Sequence, residues 1–138
     1  MLDLTKFFMQ GLNKTLRLQN GVNFSYKGPW VQLYPNTVLD EWYYGDFCAA
    51  EYTVVVDLGG QDKEIVKFLV IADIDKANIT EYGRTNLGRN LVDITAQVNS
   101  SKISIIVNPA TFEDSAASTG SKIIYSATYY HSLNEVGS

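Results

Sequence analysis

Few side chains in this 138-residue sequence could do covalent or metal chemistry, since it holds one His, His131, and one Cys, Cys48. A lone His needs an acid or a nucleophile beside it to act as a catalyst, and neither Cys48 nor any Ser stands in a supporting motif such as G-x-S-x-G. His131, which follows Tyr129 and Tyr130, reads as a surface or interface group. Cys48, between Phe47 and Ala49, reads as a buried free thiol. The same counts remove a disulfide framework, cysteine zinc sites and two-His metal sites within one chain. No catalytic residue, no metal ligand and no cofactor is expected.

Two short stretches imitate ligand loops. Tyr82-Gly83-Arg84-Thr85-Asn86-Leu87-Gly88-Arg89-Asn90 has two glycines and two arginines. A phosphate loop, however, needs Lys-Ser/Thr after its second glycine and a helix behind it. The plainer reading is a turn in which Gly83 and Gly88 supply positive φ and Arg84 anchors a carboxylate such as Asp73 or Asp93. Asp73-Ile74-Asp75-Lys76-Ala77-Asn78 offers D-x-D-x-x-N oxygens, but it lacks the mid-loop glycine and closing Glu of a calcium loop, and Lys76 sits inside the would-be shell. A polar turn between strands accounts for it.

The strongest signal is aromatic. Trp30, Tyr34, Trp42, Tyr43, Tyr44 and Phe47 crowd one stretch, and positions 40–57 carry Asp40, Glu41, Asp46, Glu51 and Asp57 without a Lys or Arg. Aromatic rings beside carboxylates can grip sugar rings, by stacking and by hydrogen bonds to hydroxyls. In a small domain the same residues serve more often as core or subunit anchors. These six residues are expected to contact partners, with a glycan as the alternative.

The elements that must position them are mostly strands. Asp3 to Leu16 spaces Leu4, Phe8, Leu12 and Leu16 by four, which predicts a short amphipathic helix. Leu4, Phe8 and Leu12 join the expected partner contacts, although the row could equally face the chain's own sheet. Asn20-Gly21 suits a hairpin turn. Beyond residue 49, Tyr52, Val54, Val56 and Leu58 alternate with Glu51, Thr53, Val55 and Asp57. The run from Glu64 to Asp73 is almost wholly apolar, as in a strand buried on both faces. Further strands are predicted at 78–82, 91–98, 102–108 and 122–130, with Asn99-Ser100-Ser101 as a tight turn and a surface loop between Pro109 and Ser121. The expected fold is mainly β: a β-sandwich or jelly roll with a short N-terminal amphipathic helix. Residues 1–48 form the helix and aromatic docking arm, and 49–138 the sandwich.

Composition agrees with one domain: 46% hydrophobic, 19% charged and a net charge of −4. Residues 1–28 balance at +3, from Lys6, Lys14, Arg17 and Lys27 against Asp3, which leaves −7 for the rest. Such a charge suits neither nucleic acid nor membrane. The apolar cluster Phe7-Phe8-Met9 is too short for a signal or a membrane span, so synthesis in the cytoplasm is expected. The N-x-[ST] sequons at Asn13, Asn23, Asn78 and Asn99 are read as chance.

From Glu51 to Asn134 the pieces EYTVVVDL, FLVIADIDKANITEYGRTNLGRNLVDITAQVN, KISIIVNPA and GSKIIYSATYYHSLN form one pattern. Its most specific parts are the D-K-A-x-I-T turn, Y-G-R-T-N-L-G and the closing S-A-T-Y-Y strand. This pattern resembles a β-rich module of virion structural proteins from contractile-tailed phages of cyanobacteria and marine bacteria. The resemblance implies a non-enzymatic tail, baseplate or fibre-attachment block, made in the host cytoplasm and residing in the virion. Other virion proteins and copies of itself would be its partners. The alternatives are a carbohydrate-binding receptor module on the particle and a capsid decoration protein.

Overall fold

The computed structural model describes residues 23–28, 30–110 and 122–131, and it gives no side-chain placement for 23–27. The expected helix, with Leu4, Phe8 and Leu12, the Asn20-Gly21 turn and the loop over 111–121 lie outside the described residues. Within them every regular element is a strand. In chain order these are β1 (Asn23–Lys27), β2 (Val31–Gln32), β3 (Thr37–Tyr43), β4 (Phe47–Asp57) and β5 (Lys63–Ala72). They are followed by β6 (Ala77–Asn86), β7 (Val92–Asn99), β8 (Lys102–Pro109) and β9 (Lys122–His131).

The strands form two antiparallel sheets. The larger runs β1-β9-β4-β5-β6, with β2 also paired to β9, and the smaller runs β3-β8-β7. The expected mainly-β fold of packed antiparallel sheets is thus observed among the described residues. Strands β1 and β2 join the larger sheet and β3 the smaller, beside strands from the second half of the chain.

Turn chemistry fixes the registers. Ser100 and Ser101, both at positive φ (54° and 65°), make the two-residue turn between β7 and β8, where matched positive φ follows the strand twist. Between β4 and β5 the positive-φ residues are Gly59 and Gly60, and the Asp57 carboxylate accepts the Gly59 N–H at 2.9 Å. Gly83 and Gly88 are not among the positive-φ glycines. Strand β6 runs on to Asn86, so Gly83 is a strand residue opposite Lys67 beside a β-bulge. Gly28 has a steric reason to be glycine. A Cβ there would lie 2.4 Å from the Tyr125 ring, and its N–H bonds the Tyr125 carbonyl.

Period-two alternation places the core between the sheets. Tyr52, Val54 and Val56 of β4, Val66, Phe68 and Val70 of β5, and Ile123, Tyr125, Ala127 and Tyr129 of β9 all point inward. They meet Trp42, Val92, Ile103, Ile105 and Val107 of the smaller sheet. The Tyr52 and Phe68 rings stack at 4.9 Å. Two polar devices lie in this core. Asp40, on β3, reaches across to the larger sheet, where its Oδ2 accepts the hydroxyls of Tyr52 and Tyr129, each at 2.6 Å. The Trp42 indole N–H donates to the same Tyr52 oxygen at 2.9 Å. Glu64, at the start of β5, accepts Arg84 at 2.7 Å, the Leu91 N–H at 3.0 Å and Asn86 Nδ2 at 2.9 Å. It clips the crossing from β6 to β7 in place, since a buried carboxylate is tolerable only when so satisfied.

One expectation fails in a useful way. The run Glu64–Asp73 is buried on one face only, because the smaller sheet stacks on just one side of β5. Ile65, Leu69 and Ile71 point the other way and are exposed by 40%, 46% and 62%.

Candidate interaction face

The aromatic stretch does not assemble into one surface. Trp42 and Phe47 are core residues, 4% and 1% exposed, and so are not available to a partner of the folded chain. The β3 pleat turns Trp42 inward, where its ring meets Phe47 and Tyr129 edge-on. Tyr44 is half-buried against the core. Tyr34 and Tyr43 are exposed but far apart, Tyr34 before the start of β3 and Tyr43 at its last residue. The Tyr34 backbone is tied to Thr37, and the Lys102 ammonium lies 5.8 Å from the Tyr43 ring centroid. Trp30, half exposed, lies elsewhere again, against Val55, Ile124 and Ser126 of the larger sheet.

What the fold brings together instead is the outer face of that sheet. Directly opposed residues share a face, so the registers define its rows. Tyr130, Ala49, Ile71 and Asn78 form one, and Thr128, Glu51, Leu69 and Thr80 the next. Ile124, Val55, Ile65 and Thr85 form another towards the far end, beside Trp30. The exposed Tyr82 donates its hydroxyl to Glu51, which raises the Tyr82 pKa. Two shallow recesses mark the ends. One of about 360 Å³ is lined by Ala49, Leu69, Ile71, Asn78, Thr80 and Tyr130. The other, of about 310 Å³, lies beneath Trp30. Of the residues expected to contact partners, Trp30 alone is on this face among those described. Of the missed ones, Ile65, Leu69 and Ile71 did leave a signal, since β5 carries apolar residues in both alternation phases, beside Lys63 and Lys67 on the outer one; Tyr82 and Tyr130 lie on β6 and β9.

The imitation ligand loops resolve as structural features. Arg84 pairs with Glu64 and Glu81 rather than with Asp73 or Asp93, because β6 lies beside β5 and points Arg84 at the start of that strand. Its two carboxylate partners raise its pKa, the Glu81 hydrogen bond most. Asp73 closes the β5–β6 turn by accepting the N–H groups of Asp75 and Lys76, and the first of these contributes most to its lowered pKa. Among the described residues no three His, Cys, Asp or Glu side chains gather as metal ligands. No described helix is long and apolar enough to cross a membrane. His131 is buried rather than superficial, since it closes β9 on the inward phase with its ring 5.2 Å from that of Phe47. Cys48 is only half-buried, because the bulge after Phe47 interrupts the inward alternation.

No family model and no curated protein matches this sequence. Three solved structures of phage tailspike proteins are similar in fold, although none reaches a TM-score of 0.5. That of Acinetobacter baumannii phage AM24 has 10% identity and a TM-score of 0.48, over 80% of this chain and 26% of that one. The tailspike gp49 of Acinetobacter baumannii phage Fri1, described as a capsular polysaccharide depolymerase, has 9% identity and a TM-score of 0.44, over 97% and 22%. The tailspike of Acinetobacter phage vB_ApiP_P1 has 13% identity and a TM-score of 0.37, over 84% and 22%. The chain therefore spans about a quarter of the length of the structures it resembles. One expectation is withdrawn on this finding. A phage-particle protein of similar fold that degrades polysaccharide removes the ground for reading this chain as non-enzymatic.

Proposed function

We propose that this chain is a phage tail-associated module that attaches to a neighbouring virion protein through the Trp30 end of the outer sheet face. The observation that carries the reading is Trp30 itself: a large aromatic, half exposed, over a recess floored by Val55 and Ile124. Trp is among the residues enriched at the hot spots of protein interfaces, and such anchors work when a partner removes the remaining water. Gln32, Lys122 and Ser126 supply a polar rim that can fix register. The tailspike neighbours are in keeping with a place in the tail, and the motif likeness carries the finer assignment to cyanobacterial and marine phages.

The test is incorporation. Trp30→Ala and Ile124→Asp in the phage should remove the protein from purified particles while the isolated variants keep the wild-type Tm. Particles carrying normal amounts of either variant would overturn the reading. A second reading rests on a different observation, the exposed rings of Trp30, Tyr82 and Tyr130 on one face with the Glu51 carboxylate. These could hold a glycan, as rings and a carboxylate do. Glycan-array binding that is lost on Tyr130→Ala, with incorporation intact, would favour it.

A further inference from the structure

The Tyr130 end of the same face has a different claimant. Two apolar surfaces of this chain bear on each other, one described in the structure and one read from the sequence. One is the sheet end formed by Tyr130, Ala49, Leu69 and Ile71, with Ile71 62% exposed on a strand that carries apolar residues in both phases. The other is the row Leu4-Phe8-Leu12-Leu16, at helical spacing in a segment with basic residues around it. We propose that this N-terminal segment lies across the Tyr130–Ile71 end of the outer sheet face of its own chain, as a third layer over the sandwich.

Chain entry favours it. The described chain starts at Asn23, whose register partner is Tyr130, so the preceding residues enter at the corner of that row. A helix from Leu4 to Leu16 is about 18 Å long. The sheet from β1 to β6 is about 19 Å wide. Residues 17–22 can span up to about 20 Å, which is ample for the turn back over the sheet. Charge is complementary as well: Lys6, Lys14 and Arg17 against Asp3 on the segment meet Glu51, Asp73 and Asp75 against Lys67 and Lys76 on and around that part of the sheet. Burying an apolar face is the ordinary reason for a layer to form, and this pairing satisfies both faces at once. The Trp30 end lies farther along the strands, so the two claims are independent.

The full chain can be tested with a nitroxide attached through Thr5→Cys in a Cys48→Ser background, with methyl resonances as the readout. Leu69 and Ile71 should lose most of their intensity, while Ile94, on the smaller sheet, keeps its own. Adding Phe8→Ser should restore the Leu69 and Ile71 signals. Undiminished signals in the labelled chain would overturn the proposal. So would broadening that occurs only between a nitroxide-bearing chain and a separate isotope-labelled chain, because the cover would then be a second copy.

Discussion

The two faces of β5 are nearly equal in hydrophobic content and opposite in fate. Val66, Phe68 and Val70 are sealed beneath the smaller sheet, whereas Ile65, Leu69 and Ile71, one residue out of phase, remain open. The inner face also contains carboxylates that are fully engaged, Asp40 through two tyrosines and Glu64 through Arg84. The outer face has Glu51 paired with Tyr82, at the surface. The difference teaches that side-chain type sets the capacity to be buried, while the stacking partner decides which phase is buried. Polar groups on the sealed side must be matched atom by atom, and those on the open side need not be.

Substitutions can break this contrast or sharpen it. Phe68→Ala should have the largest effect, a loss of about 4 kcal/mol in urea unfolding, since the ring stacks on Tyr52 and leaves a cavity behind. Arg84→Ala should cost about 3 kcal/mol by leaving Glu64 buried without its cation. Asp40→Ala, which removes the acceptor shared by the Tyr52 and Tyr129 hydroxyls, should cost about 2 kcal/mol. An Asp40→Ala protein as stable as wild type would show that the sheets do not depend on this bridge.

The same bridge predicts an alkaline limit. Burial is the main cause that raises the pKa values of Tyr52 and Tyr129, so both phenols hold their protons where an unfolded tyrosine loses its own, above about pH 10. There the folded chain binds more protons than the unfolded one. Stability is therefore fully present below about pH 10 and falls as the pH rises beyond it, by about 1.4 kcal/mol per pH unit for each tyrosine. Urea unfolding between pH 9 and pH 11 measures the slope, and Tyr129→Phe should make it shallower. The smallest effect belongs to the open face: Ile65→Ala should cost less than about 1 kcal/mol, although it is three residues from Phe68 on the same strand. A loss as large as that of Phe68→Ala would mean that the outer face at Ile65 is covered in the isolated chain.

Much of the architecture was legible because alternation is a local signal. Tyr52, Val54 and Val56, and likewise Ile123, Tyr125, Ala127 and Tyr129, lie on one face each as the pattern predicts. The Asn99-Ser100-Ser101 turn and the polar turn that opens at Asp73 follow from turn chemistry alone, although the latter ends at Lys76, before β6. The interaction face was far less legible. Trp42 and Phe47 belong to the most aromatic and acidic stretch yet sit in the core, because tyrosines on β4 and β9 meet Asp40 there and satisfy it. A buried carboxylate beside a Trp looks in sequence like an exposed one, since its partners stand 12 and 89 residues away. Arg84 was matched to the wrong acids for the same reason: its partner Glu64 becomes a neighbour only through the β5–β6 pairing.

By itself the sequence determined that the described part of this chain is built of strands, where most of them turn, and which phase of β4 and β9 is apolar. These depend on backbone preference and on the period of two. Tertiary structure alone decided which strands share a sheet, which phase of the doubly apolar β5 is sealed, and that Trp30 rather than Trp42 meets the solvent. Those outcomes depend on which sheet stacks on which, a contact between residues far apart in the chain that no local pattern encodes.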